Sequence, residues 1–211
     1  FTDMLRKDPL LSNDTILETL LLKEFYNAYY QDKIPVERIL ELSDSLSAKS
    51  KLDETKTISS GLRRKLTFLK NGHPVPAFRA KDIRGNDLEA GFPSDKLVLL
   101  GFCDLNSLQC QRELEHLKYL QGKHQKFLQS IVVLKYSGQK QLDDFLKNIP
   151  PSMFIVSWGE NPGPADLYEI KALPSFFLID HDGKMLRNPA PLPSENLEYE
   201  LFLILRAKGE V

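Results

Sequence analysis

The stretch Val98–Leu114, VLLGFCDLNSLQCQREL, carries both cysteines of the chain, Cys103 and Cys110. It reads as a buried strand, a short turn and a helix. The apolar run from Leu97 to Phe102 suits a central strand covered on both faces. Polar residues follow, and then a helix from about Ser107 to Phe127, whose inner face would carry Leu114, Leu117, Leu120 and Phe127. The two cysteines stand seven residues apart, a spacing that fits no familiar two-cysteine motif. They are a redox pair, a metal site, or neither.

Outward from this stretch, strands and helices alternate. Residues 131–136 (IVVLKY), 153–156 (MFIV) and 175–179 (SFFLI) read as strands, and residues 140–148 as a helix between the first two. Ala165 to Ile170 reads as a helical turn. Asp180-His181-Asp182-Gly183 is a turn, because Asp-Gly between apolar runs favours a hairpin over a metal cluster. A last helix spans about Glu195 to Ala207. Upstream, residues 78–87 form a strand running into a Gly-containing turn. Strands separated by helices and ending in a hairpin predict a mixed α/β sheet with helices on both faces.

Residues 1–70 read differently. Asn13-Asp14 caps a helix bearing Ile16, Leu17, Leu20, Leu21 and Phe25. Pro35 opens a second, with Val36, Ile39, Leu40 and Leu46 on one face interrupted by Ser43. A third, residues 53–70, has the sparse set Ile58, Leu62, Leu66 and Leu69. The segment NGHPVP, Asn71 to Pro76, breaks the helical pattern and marks a boundary. The expectation is a small all-α segment over 1–70 and an α/β domain over 71–211.

Bulk properties bound the function. The chain has 211 residues, 42% hydrophobic and 27% charged, a globular composition large enough for a sizeable core. A formal net charge of -1 gives no pull toward nucleic acid or anionic membrane, and no apolar run is long enough to span a bilayer. There is no Gly-rich phosphate loop and no Ser-His-Asp spacing that identifies a hydrolase. No cofactor and no metal are expected, since two cysteines without a nearby His pair do not supply four ligands. The start FTDMLRKDPL has neither an initiator Met nor a signal-peptide pattern, and a piece of a longer protein is expected.

The order of elements, with three local patterns, resembles the thioredoxin-like superfamily, and more narrowly the extracytoplasmic TlpA-type thioredoxin-like proteins. The patterns are Gly72-His-Pro-Val-Pro-Ala-Phe78 running on to Gly85, the opening strand–turn–helix, and Leu173-Pro174-Ser-Phe-Phe-Leu-Ile-Asp180 with Asp182-Gly183. The likeness covers about residues 71–208. It implies a thioredoxin-like fold, a cis-proline at Pro174, and a location in the periplasm or cell envelope.

Aligned with the family's Cys-x-x-Cys, Ser107 falls on the first cysteine and Cys110 on the second. Cys103 stands where the family usually carries Trp. The motif is therefore degenerate, Ser-x-x-Cys. A serine hydroxyl cannot ionise usefully without an adjacent base, and disulfide exchange requires sulfur. Ser107 is expected to cap the helix. Cys110 is expected to be a buried small hydrophobe with a raised pKa. A Cys103–Cys110 bridge needs Cα atoms within about 7 Å, and strand end to helix start is expected to lie just beyond that.

In the family, the backbone of the residue before the cis-proline pairs with an extended peptide. Leu173 and Pro174, with Ser107, would here form a groove for a protein or peptide partner. Three functions stand open: a redox-degenerate binding module, a thiol-disulfide oxidoreductase using Cys110 and Cys103, and a scaffold whose groove its own loops fill. Enzymatic activity is undecided at this level, because the nucleophilic cysteine is missing.

Overall fold

The computed structural model describes residues 2–5, 7–9, 11–31 and 33–210, and the chain divides into two compact units, Phe1–Phe68 and Leu69–Val211. The first unit is helical: α1 (Thr2–Leu5), α2 (Asp14–Tyr30), α3 (Val36–Lys49) and α4 (Asp53–Thr67). Asn13 caps α2, its side-chain oxygen accepting the amides of Thr15 and Ile16. Leu22, Ile39, Leu40, Leu62 and Leu66 form the core of this unit.

Three expectations for these helices need correction. Leu17 is buried as expected, but Ile16 and Leu20 are exposed, and α2 buries Glu18 and Leu22 instead. Ile58 of α4 is exposed as well. Ser43 does not interrupt the buried face of α3, because it is itself fully buried. The inner surface is partly polar. The buried carboxylate of Glu18 accepts the hydroxyls of Ser50 and Thr55, each at 2.6 Å. Polar groups can face inward where such bonds satisfy them, so apolar spacing alone misplaces the buried face.

The second unit begins with an antiparallel hairpin, β1 (Phe78–Lys81) and β2 (Asp87–Ala90). A five-stranded sheet follows, built from β3 (Leu97–Asp104), β4 (Leu128–Lys135), β5 (Met153–Ser157), β6 (Ser175–Ile179) and β7 (Met185–Arg187), in the order β5-β4-β3-β6-β7. β3, β4 and β5 are parallel, and β6 and β7 run antiparallel. The parallel pairs require crossovers, supplied by α5 (Leu108–His124) and α6 (Gln139–Leu146). A short α7 (Gly163–Leu167) lies between β5 and β6, and α8 (Leu197–Lys208) follows β7. Phe127 lies beyond the end of α5 and packs partly buried on the same core as the helix.

Strand alternation builds two cores. Leu97, Leu99 and Cys103 of β3 face Leu114, Leu117 and Leu120 of α5 and Leu197, Leu201 and Leu205 of α8. Val98, Leu100 and Phe102 face the other way, toward Phe78, Leu88, Ala165 and Tyr168. Phe102 is the hub of that second layer, with ring contacts to Trp158, Tyr168 and Phe177 at centroid distances of 6.2, 5.8 and 5.9 Å. Trp158, at the head of the turn-rich segment 158–164, therefore joins the core. Asp180-His181-Asp182-Gly183 forms the β6–β7 turn, closed by the Gly183 amide on the Asp180 carbonyl at 3.0 Å.

Gly101 sits opposite Phe176 in the β3–β6 register, and the Phe176 ring fills the place of its missing side chain. A Cβ there would stand 2.7 Å from Phe176 Cε1, and this ring is only 1% exposed. Gly101→Ala should lower stability by about 1–3 kcal/mol through overpacking. The check is a lower denaturation midpoint at unchanged denaturant dependence.

Candidate functional site

The turn between β3 and α5 is held from several sides. The Asp104 carboxylate accepts the Asn106 backbone and side-chain amides, both at 2.8 Å. The Leu105 amide donates to the Lys135 carbonyl at 2.8 Å, and the Leu105 carbonyl accepts the Gln111 and Gln141 side chains at 2.6 and 3.1 Å. Ser137 donates its hydroxyl to the Asn106 side-chain oxygen at 2.9 Å. These bonds order the turn before any ligand is present.

Ser107 is the N-cap of α5. Its backbone is extended (φ -94, ψ 122), and its hydroxyl oxygen accepts the Cys110 amide at 3.3 Å. This is the bond that an N-cap serine is suited to make. Beside it, Leu108 is 81% exposed at the first helical position.

Cys103 and Cys110 are both free thiols, both buried with no exposed surface, and both in the core layer between the sheet and α5. Their shared layer follows from two periodicities. Cys103 shares its sheet face with Leu97 and Leu99, and that face looks at α5. Cys110 shares the inner face of α5 with Leu114, Leu117 and Gln121. The chain turns between the two elements and places both sulfurs in this one layer.

The expectation that Cys110 has a raised pKa is overturned. The Cys103 thiol bonded to it pulls the Cys110 thiol down to about 6. Burial opposes this, while the Asp104 backbone and the Ser107 hydroxyl add to it. Cys103 moves the other way and is raised, first by its bond to Cys110 and then by burial. A sulfur accepting several hydrogen bonds favours its charged form, and the thiol that donates holds its proton.

Glu113, one turn further along α5, is buried at 2% exposure. Its carboxylate accepts the Ser194 amide at 2.9 Å and the Ser194 hydroxyl at 2.7 Å. It anchors α5 to the segment preceding α8. Sequence reasoning attached no role to this tie, whose two ends lie 81 residues apart.

Pro174 follows a cis peptide bond from Leu173. The β3–β6 pairing ends with Phe102 opposite Ser175, so Leu173 and Pro174 emerge at the end of the sheet from which the turn to α5 departs. Leu173 is half-buried and touches both cores. Its amide and carbonyl make no hydrogen bond to another described residue. The structure thus brings Ser107, Cys110 and Cys103 into one cluster, and sets Leu173 and Pro174 at the same end of the sheet.

Solved structures share this architecture. A protein described as the thiol:disulfide interchange protein DsbE of Chlorobium tepidum matches at 23% identity and a TM-score of 0.54, over 64% of this chain and 98% of that one. The thioredoxin domain of a thiol-disulfide oxidoreductase from Bacteroides vulgatus matches at 17% identity and a TM-score of 0.52, over 64% and 97%. A thioredoxin-like protein from Bacteroides caccae matches at 17% identity and a TM-score of 0.51, over 95% of this chain and 80% of its own. No protein-family model and no curated protein matches the chain by sequence. The fold is thioredoxin-like, the fold of thiol-disulfide oxidoreductases. No helix among the described residues is long and apolar enough to cross a membrane.

Two measurements test the cluster. Thiolate ultraviolet absorbance of the folded protein should appear with a midpoint near 6, from Cys110. Cys103→Ala, which removes the main donor, should move that midpoint upward. An unfolded thiol titrates near 8.5, so between about pH 6 and that value the unfolded chain binds more protons, and this contribution to stability rises with pH. It is lost as pH falls through the folded value, and the raised Cys103 acts in the opposite sense at more alkaline pH. Ser107→Ala should cost about 0.5–2 kcal/mol as a lost cap, read from the denaturation midpoint.

Proposed function

We propose that this protein is a thioredoxin-like binding module that has lost thiol-disulfide exchange. It would take an extended segment of a protein or peptide partner along Leu173 and Pro174, beside Ser107, in an extracytoplasmic compartment or as part of a larger envelope protein. The observation that carries the reading is the environment of Ser107. At the N-terminus of α5, where an attacking thiolate would gain from exposed amides and the helix dipole, there is a hydroxyl. The hydroxyl is engaged with Cys110, and no base stands among its bonded partners.

The sulfurs that remain are fully buried, so neither can meet the disulfide of a folded partner. Binding is supported by Leu173, whose free amide and carbonyl suit strand-like pairing with an extended chain. The exposed Leu108 gives the rim of the site an apolar contact. The location draws on the kinship of the fold with the interchange proteins named above.

One assay separates the competing functions: reduction of insulin by dithiothreitol, followed by turbidity. The wild type should not accelerate it, and Ser107→Cys should, because the returned thiol would face a groove open to an extended substrate. Wild-type acceleration that vanishes in Cys110→Ser would favour an oxidoreductase over a binding module. Inactivity of a folded Ser107→Cys, checked by circular dichroism, would favour a scaffold whose own loops occupy the groove.

A further inference from the structure

α8 has one apolar face more than its own fold uses. Its inner side buries Leu197, Leu201, Ile204 and Leu205 in the core layer it shares with α5. A helix lying on a protein surface needs only that one stripe. α8 carries a second on its outer side, where Tyr199, Phe202 and Leu203 are 62%, 48% and 39% exposed. α5 covers the same core and shows the ordinary pattern, presenting Gln111, Arg112, Glu115 and His116 to solvent. Large apolar side chains grouped on one exposed helix face mark a contact surface.

The charges along α8 show what fits this face. Glu198 pairs with Lys123 at 2.7 Å, Glu200 with Arg187 at 2.9 Å and Lys208 with Asp180 at 2.8 Å. Two others stand apart: Glu195, in the turn ahead of α8, and Arg206, in its last turn. Both are exposed, and neither side chain makes a hydrogen bond or ion pair among the described residues. They cap the apolar stripe at its two ends, because positions 195, 199, 202, 203 and 206 follow helical spacing. Glu195, Tyr199 and Phe202 line one shallow cavity together with Lys123 and His124 of α5.

The stripe is self-complementary. At 1.5 Å per residue, Glu195 and Arg206 each lie about 8 Å along the helix from the midpoint of Tyr199 and Phe202. A two-fold axis through that midpoint sets Glu195 of one copy beside Arg206 of the other, twice. It also sets Tyr199 against Phe202, twice. Two antiparallel helices meet in this way, and the same patch serves both copies. A parallel pair would oppose Glu195 to Glu195 and Arg206 to Arg206. An anionic membrane surface would favour cations at both ends of the stripe, whereas one end here is acidic.

We propose that the outer face of α8 is a homodimer interface, on which a second copy of this chain lays its own α8 antiparallel across Tyr199 and Phe202. This goes beyond peptide binding at Leu173 and Pro174 and does not depend on it. Tyr199 and Phe202 supply the apolar centre, the place where aromatic side chains contribute most to association. The two Glu195–Arg206 pairs lie at the rim, where charges fix orientation and register more than they add affinity.

The test is the solution mass of the reduced full chain, read by light scattering on a size-exclusion column over a concentration series. The wild type should pass from monomer to dimer as concentration rises. Phe202→Ala should weaken association by roughly tenfold or more, because a symmetric pair carries the truncation twice. Arg206→Glu alone and Glu195→Arg alone should stay monomeric where the wild type is dimeric, since each opposes like charges at both ends. An equimolar mixture of these two variants should form a heterodimer, because both end contacts are then opposite in charge. All three positions are exposed, and circular dichroism checks that the variants fold. A wild type that is monomeric up to the millimolar range would overturn the proposal. Sedimentation of that monomer with phosphatidylglycerol vesicles would make the stripe a membrane contact instead. A dimer indifferent to Phe202→Ala and to both charge reversals would place the interface elsewhere and overturn it too, as would a mixture that stays monomeric. None of these readouts involves insulin or a peptide, so failure of the binding reading is separable from failure of this one.

Discussion

Everything at the site depends on the alternation of side chains along β3. This strand lies at the centre of the sheet, between a parallel and an antiparallel neighbour, and is buried on both faces. Its pleat sends Leu97, Leu99 and Cys103 to one layer and Val98, Leu100 and Phe102 to the other. A slip of one residue would exchange the two sets, putting Phe102 beneath α5 and Cys103 among the rings of Tyr168 and Phe177. Pairing at eight positions with β4 and five with β6 prevents such a slip. Gly101 adds to this, because only a residue without a side chain leaves room for Phe176 across the strand.

With the register fixed, the chemistry of the β3–α5 corner is a competition between burial and hydrogen bonding. Burial raises a thiol, and for Cys103 nothing offsets it. For Cys110 hydrogen bonding wins over burial, with Cys103 the largest contributor and the Asp104 backbone and Ser107 adding to it. The fold thus provides a stabilised thiolate even though Ser107 occupies the place of the usual nucleophile. What it withholds is access, since neither sulfur has exposed surface.

Helices were easier to find in the sequence than their faces. The helices of residues 1–70 were legible from capping residues and spacing, and Asn13 caps α2 as its type suggests. The buried faces were less so. Apolar periodicity favoured Ile16 and Leu20 along with Leu17, whereas the folded unit buries Leu17 with Glu18 and Leu22. A helix rich in leucine on several sides can present more than one stripe, and its neighbours choose among them. Here the Glu18 carboxylate, bonded to Ser50 and Thr55 from more than thirty residues away, is part of the chosen face. No local pattern encodes that pairing.

The sequence by itself determined the succession of strands and helices, the α/β class of the second unit, the serine at the N-cap of α5 and the proline before β6. Each rests on local chemistry: side-chain period, capping and the restricted backbone of proline. Only the tertiary structure decided that Cys103 and Cys110 share one buried layer, that the Cys110 thiol is lowered, and that Glu113 reaches Ser194. The shared layer of the thiols was implicit in the parity of β3 and the period of α5. It became a fact only once the turn between them was seen to fold back, because the direction of a turn depends on what its polar groups bond to. Here those partners, Lys135, Ser137 and Gln141, lie about thirty residues farther along the chain.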